Sequence, residues 1–277
     1  MALKLMYITN DTEIALIAEN AGVDRIFIDM ETIGKQERQG GMDTVQSKHT
    51  FDDICNIRRV LSKSELLVRC NPIHEGTVSE IERIIECGAD IVMLPYFKTV
   101  DEVSCFLNAV NGKAKTMLLF ETPESVERVD EILQLDGIDE VFIGLNDLSL
   151  GYGKNFMFSL LSDGTVEKLC LKFRQKGLPY GFGGIAAIGT GTLPAEAILK
   201  EHYRLGSSAV ILSRSFCNYE KIEDRSQIAE IFDRGLKVMR VFEKEIEVHS
   251  RYFFENIELV KEKVDLIAES IGARKTS

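Results

Sequence analysis

Metal-type and disulfide-type cysteine spacing is missing from this chain. Its six cysteines (Cys55, Cys70, Cys87, Cys105, Cys170 and Cys217) are scattered, with no CxxC pair and no His-rich spacing. That pattern argues against a zinc or disulfide framework and predicts free, mostly buried thiols in a reducing cytosol. Positive charge is also short. Lys and Arg number 33 against 44 Asp and Glu, a net charge of −11. So acidic a surface has no electrostatic reason to hold a phosphate backbone, and no nucleic-acid partner is expected. No apolar run approaches the ~20 residues that would span a bilayer, so no membrane partner is expected either. The start, MALKLMYITND, enters a short apolar run and a helix cap directly. It lacks the long apolar region and small-residue cleavage site of a signal peptide, and a cytoplasmic location is expected. No GxGxxG follows the first apolar run, which counts against a dinucleotide-binding open sheet.

What is present is periodic. Apolar residues make up 45% of the chain and charged ones 28%, enough for a full core. Short apolar runs at 3–9, 25–30, 66–70, 91–94, 117–120, 141–143, 180–185 and 209–212 read as strands. Most are continuously apolar, as strands covered on both faces should be. Helical patterns fall between them at 12–21, 51–61, 77–86, 100–110, 166–176 and 194–205, with one amphipathic stretch carrying Val126, Val129, Ile132 and Leu133. Strand–helix alternation of this kind predicts an α/β fold, a (β/α)8 TIM barrel over residues 1–218. A doubly wound open sheet is the alternative. Residues 219–277 hold two helical patterns, at 222–248 and 253–271, with no strand between them. They form a C-terminal helical extension: one is the last barrel helix and the other is extra. The extra helix must bury its apolar stripe against another subunit or back on its own barrel.

In a parallel barrel the C-terminal strand ends form one rim, where active sites are built. This rim collects Asp29 and Glu31 from the second strand, Arg69 from the third, Glu121 from the fifth, Asn146 and Asp147 after the sixth, and Arg214 after the eighth. It has several acids, an arginine and no cysteine–histidine pair. Glu121 and Asp147 make an oxygen-rich site that suits Mg²⁺ or Mn²⁺ better than zinc. Arg69 would grip a substrate carboxylate in bidentate fashion, and metal plus arginine fits a 2-keto acid. Each residue also has a duller role. Glu121 and Asp147 could cap helices, Arg69 could form a barrel-end ion pair, and Asp29 and Glu31 could belong to a salt-bridge network.

Several stretches resemble the HpcH/HpaI aldolase and citrate lyase beta-subunit family of the phosphoenolpyruvate/pyruvate-binding barrels. They are GVDRIFIDMET (22–32), LLVRCN (66–71), CGADIVMLPYFKTVDEV (87–103), LLFETPESVERVDEILQLDGIDEVFIGLNDLSLGYG (118–153) and the glycines of the seventh strand. The resemblance implies a (β/α)8 barrel holding Mg²⁺ or Mn²⁺ through Glu121 and Asp147. Arg69 would hold a pyruvate-like carboxylate, with Gly144, Asn146 and Asp147 on the substrate side. It also implies a homo-oligomer, a trimer or hexamer. One departure stands out. The aldolase branch carries Glu-His after the second strand, where this chain has Glu31-Thr32. The base then falls to Glu31, to a metal-bound water, or to His49 in the long loop 32–50, where specificity is expected to reside.

The expected activity is therefore a class II, metal-dependent carbon–carbon lyase or aldolase acting on a hydroxy-keto acid through a pyruvate-like enolate. An acyl-CoA lyase or thioesterase of the citrate lyase beta-like branch is the alternative. So is a non-catalytic binding barrel that has lost its base.

Overall fold

Helix boundaries in this chain are written in short polar signals. The first helix, α1 (Thr12–Ala21), starts where the Asp11 side chain accepts the N–H groups of Glu13 and Ile14, and it ends at Gly22 in a left-handed conformation. Thr50 and Asp53 form a reciprocal capping box on α2 (Phe51–Val60), and Thr99 and Glu102 do the same on α4 (Val100–Val110). Between these two lies α3 (Thr77–Glu86). The computed structural model describes residues 2–34, 49–248 and 252–275. Most of the loop assigned to specificity, residues 35–48, lies outside the described residues.

Eight parallel strands close into a barrel in chain order: β1 (Lys4–Ile8), β2 (Arg25–Asp29), β3 (Glu65–Arg69), β4 (Ile91–Leu94), β5 (Lys115–Phe120), β6 (Glu140–Ile143), β7 (Tyr180–Ile185) and β8 (Ala209–Leu212). This is the expected TIM-barrel architecture, and the open sheet is excluded. Every residue of β2, β4 and β6 is buried, as continuous apolar runs require. Among the described residues, no helix is long and apolar enough to cross a membrane.

Two compact units emerge from the contacts: residues 6–142, and residues 1–5 with 143–277. In the first unit, the stretch after β5 is two short helices, α5 (Pro123–Glu127) and α6 (Val129–Ile132), where the sequence pattern read as one. The chain bends between them at Arg128, which caps both. A second difference concerns cysteine. Cys55 on α2 and Cys87 just after α3 form a disulfide, with Cα atoms 4.7 Å apart. The expectation of six free thiols is corrected here. Consecutive barrel helices pack side by side and bring together cysteines whose spacing carries no motif. Cys70, Cys105, Cys170 and Cys217 form no disulfide among the described residues.

In the second unit, the stretch between β6 and the helix expected at 166–176 contains α7 (Leu145–Gly151) and α8 (Ser159–Ser162), followed by α9 (Thr165–Gln175) and α10 (Ala195–Leu205). The last barrel helix is α11 (Arg225–Val248). Its buried Glu243 accepts hydrogen bonds from the Leu3 N–H, the Tyr203 hydroxyl and the Arg240 guanidinium. The extra helix, α12 (Tyr252–Lys275), packs on α8 and α10 of its own chain and buries Asn256, Val260 and Val264.

The first unit also contains a buried ion network at the N-terminal ends of its strands. Arg25, fully buried at the start of β2, donates through Nη1 and Nη2 to both oxygens of Glu140 at 2.7 and 2.6 Å. Its Nε donates to Glu65, which also accepts from Lys115 at 2.6 Å. Removing one partner of a buried pair strands the other. Arg25→Met is therefore expected to cost about 3–5 kcal/mol in urea unfolding, and adding Glu140→Leu should restore most of it.

Candidate active site

Parallel pairing of β2 with β3 sets Asp29 directly beside Arg69 at the C-terminal strand ends. The guanidinium meets that carboxylate edge-on. Nε donates to Asp29 Oδ1 and Nη2 to Oδ2, both at 2.9 Å, and Nη2 also lies 3.3 Å from Glu31 Oε2. Asp29, Glu31 and Glu121 are all buried, while the Arg69 side chain is 15% exposed. Burial works against the Arg69 charge. The facing carboxylates of Asp29, Glu31 and Glu121 outweigh it and hold the guanidinium well above its ordinary pKa. Nη1 makes no hydrogen bond among the described residues. Side-on engagement by Asp29 therefore leaves the end of the fork for an incoming anion. The neighbouring Cys70 is no nucleophile: burial and nearby Glu80 push its thiol well above the usual range.

Neither metal-assigned acid caps a helix. Thr122 caps α5 by accepting the Ser125 N–H, and Glu121 Oε1 instead accepts the Tyr96 N–H at 3.0 Å. Tyr96 has a φ of 49°, a left-handed conformation uncommon for a residue with a side chain. The buried carboxylate thus ties down a strained turn after β4. In the other unit, Gly144 precedes α7 and no side chain caps that helix. Asn146 and the buried Asp147 lie in its first turn. Leu145 seats against Gly183, where an added Cβ would lie 2.6 Å from Leu145 Cδ1. A side chain at position 183 would displace the Leu145 side chain. Arg214, after β8, is exposed.

His49 is half-buried, and its Nδ1 accepts the Asp29 N–H at 2.9 Å. That bond assigns the neutral ring as the Nε2–H tautomer. A base acting at Nε2 would need its proton on Nδ1, against the Asp29 N–H. The geometry favours His49 as a donor and leaves Glu31 as the better-placed acceptor of a proton. The sequence reading missed Asn71. Its Oδ1 accepts from Thr32 N, Thr32 Oγ1 and Ile33 N, at 2.8, 3.3 and 3.0 Å. Its own N–H and Nδ2 donate to Glu80 Oε1, and Glu80 Oε2 lies 2.8 Å from His74 Nε2. His74, Glu80 and Asn71 therefore form a chain of contacts that fixes the backbone just beyond Glu31. An asparagine two residues after the rim arginine, just before Pro72, was the available signal.

Within residues 6–142 the structure brings together Asp29, Glu31, His49, Arg69 and Glu121. Within the other unit it places Gly144, Asn146 and Asp147 on one turn. Residues 4–157 match the family model described as HpcH/HpaI aldolase/citrate lyase. A 2-keto-3-deoxy-L-rhamnonate aldolase of Escherichia coli O17:K52:H18 is 24% identical over 204 residues, covering 62% of this chain and 70% of the relative. A hydroxypyruvate/pyruvate aldolase of Sagittula stellata is 25% identical over 103 residues, 27% of this chain and 41% of its own. A crystal structure of an HpcH/HpaI aldolase/citrate lyase family protein from Burkholderia cenocepacia J2315 superposes with a TM-score of 0.62 at 16% identity. It covers 83% of this chain and 94% of its own.

Asn71→Ala removes the acceptor for two backbone amides. Hydrogen exchange at Thr32 and Ile33 should then accelerate at least about tenfold, the equivalent of ~1.4 kcal/mol. Amides of β4 should keep their protection. Unchanged exchange at residues 32 and 33 would show that Asn71 does not hold the segment.

Proposed function

The chain belongs to the HpcH/HpaI aldolase/citrate lyase family, and we propose that it is a divalent-metal-dependent lyase cleaving a hydroxy-keto acid to a pyruvate-like product and an aldehyde. The observation that carries this reading is Arg69. It is a charged guanidinium among buried carboxylates, held side-on by Asp29 with Nη1 left for a substrate. The two aldolase relatives, whose names specify a keto-deoxy acid and pyruvate, support the same substrate class.

Glu121 and Asp147 are the carboxylates assigned to Mg²⁺ or Mn²⁺. Both are buried, and the cap geometry excuses both from helix duty. The donor chemistry fits: oxygen ligands without thiolate or imidazole suit a hard ion. Among the described residues no group of three or more His, Cys, Asp or Glu gathers as a metal cage. Mg²⁺ is commonly held by one or two carboxylates, with water and substrate oxygens completing its shell. When bound, the ion would polarise the keto group and stabilise the negative charge that develops on it.

The protein's own residues do the rest. Arg69 binds the substrate carboxylate through the end of its fork, and Asp29 fixes the fork's orientation. Glu31 accepts the proton of the substrate hydroxyl as the bond between its carbon and the next breaks. The bonding electrons pass into the keto acid as an enolate, and the other fragment leaves as an aldehyde. Glu31 then returns the proton to the enolate carbon, giving the pyruvate-like product. His49 offers a donor at Nε2, and Asn71 keeps the Glu31 segment in place.

A panel of 4-hydroxy-2-keto acids tests this reading, with pyruvate release as the readout. Turnover is expected with Mg²⁺ or Mn²⁺, lost on chelation and restored by the ion. Arg69→Lys should lower kcat/KM at least about 100-fold, because a point charge cannot keep Asp29 and bind a carboxylate together. Turnover indifferent to chelation would contradict metal dependence. Turnover of malyl-CoA alone would move the protein to the acyl-CoA branch.

A further inference from the structure

The sulfurs of Cys55 and Cys87 sit in a different setting from the other thiols of this chain. Both cysteines are half-buried, on the seam where α2 packs beside α3. Cys70, Cys170 and Cys217 are buried. Burial pushes the Cys70 thiol well above its ordinary range and the Cys170 thiol up to about 12. A thiol exchanges as its thiolate, so these two are poor partners for exchange. The seam itself does not depend on the bridge. To one side of it the Arg83 guanidinium lies over the Phe51 ring, 4.2 Å from the centroid. To the other side Arg58 donates to Asp90 at 2.8 Å, and its stem packs where a Cβ added to Gly88 would come within 2.7 Å of Cγ. Arg58 is three residues after Cys55 and Arg83 four before Cys87, so each cation shares a helix face with a cysteine. These contacts hold α2 against α3, with the cysteine Cα atoms 4.7 Å apart. An opened bridge therefore keeps its sulfurs in place to close again. The reduced pair also has a partner for a proton: Cys87 Sγ lies 3.5 Å from Phe51 O, an acceptor for its S–H.

The bridge joins two supports of the rim. Helix α2 begins just after His49, whose Nδ1 accepts the Asp29 N–H. Helix α3 carries Glu80, which accepts from Asn71, and Asn71 accepts the Thr32 and Ile33 amides. The chain closed between the two cysteines contains β3 and Arg69. We propose that Cys55 and Cys87 are a reversible redox pair, exchanging in the folded protein with a low-molecular-weight thiol and its disulfide, and that the closed bridge braces the backbone around Asp29 and Glu31. In reduction a small thiolate attacks one sulfur of the bridge. The S–S bond breaks, a mixed disulfide forms, and the other cysteine leaves as a thiolate that takes a proton. A second small thiolate attacks the small-thiol sulfur of that mixed disulfide. The second cysteine leaves and takes a proton, two electrons have passed to the protein, and the small thiols depart as their disulfide. Oxidation runs the same steps in reverse. No metal or substrate takes part, so the proposal stands or falls separately from the lyase reading.

Glutathione buffers ranging from fully reduced to fully oxidised test it. The folded protein is equilibrated in each, quenched in acid, labelled with N-ethylmaleimide and read by peptide mass. Cys55 and Cys87 should gain label together in one reversible transition, with the cooperative melting profile kept throughout. Cys105→Ser should leave that transition unchanged. Hydrogen exchange by NMR at the two ends of the series reads the brace. The Asp29, Thr32 and Ile33 amides should exchange about threefold or more faster in the reduced protein, while β8 amides keep their rates. Cys55→Ser in oxidising buffer should exchange as the reduced wild type does. Four results would overturn the proposal: no label on Cys55 and Cys87 at the most reducing ratio, label on both at every ratio, reduction only with loss of the folded melting transition, or equal exchange at Asp29, Thr32 and Ile33 in the two forms.

Discussion

The side-on ion pair between Asp29 and Arg69 is the constraint on which the candidate site depends. It follows from strand register: parallel pairing sets the two residues opposite each other at the ends of β2 and β3. A slip of β2 by one residue would send Asp29 to the other face of the sheet and part it from Arg69. Once made, the pair decides much else. It keeps Arg69 charged in a buried setting and brings Nη2 to Glu31. It also occupies the side edge of the fork, so a substrate meets the end of it. His49 reads the same position from the backbone, accepting the Asp29 N–H. Asp29 thus orients the arginine through its side chain and the histidine through its main chain.

The opposite ends of the same strands carry a different ion cluster. There Arg25 is fully enclosed and satisfied by Glu140 and Glu65, with Lys115 behind them. Every donor of the Arg25 fork that is recorded points at protein, so this end stabilises the barrel and offers nothing to a ligand. At the rim one guanidinium nitrogen has no hydrogen bond among the described residues, a tyrosine is held in a left-handed turn and three carboxylates are buried. The contrast agrees with the general division of labour in such barrels, with stability at the N-terminal face and chemistry at the C-terminal one.

Much of this was legible in the sequence, for physical reasons. Strands β4, β7 and β8 and helices α1, α3 and α4 lie where the apolar runs and capping residues put them, because short polar signals end them sharply. The broken helix at Arg128 and the helix carrying Asp147 were harder to see. Four- to seven-residue helices leave too few turns to show a period, and glycine and serine beside them read as loop. The Cys55–Cys87 disulfide was invisible, since helix adjacency in the folded barrel brings those sulfurs together. The rim residues Asp29, Glu31, Arg69 and Glu121 were named from strand ends alone. Their division of roles was not, because it depends on which atom bonds which. Nδ1 of His49, Oδ1 of Asn71 and Oε1 of Glu121 each face a backbone N–H, and no pattern of residue types encodes that choice.

The central claim is that this rim stabilises the enolate of a keto acid, whatever aldehyde the natural substrate releases. Exchange of the pyruvate methyl protons for deuterium in heavy water, followed by proton NMR, reads that step without the aldehyde partner. The account predicts that the protein with Mg²⁺ or Mn²⁺ accelerates loss of the methyl signal well above the rate with metal alone, and that Glu31→Gln removes the acceleration. Loss of signal no faster than in buffer with the same ion would contradict it.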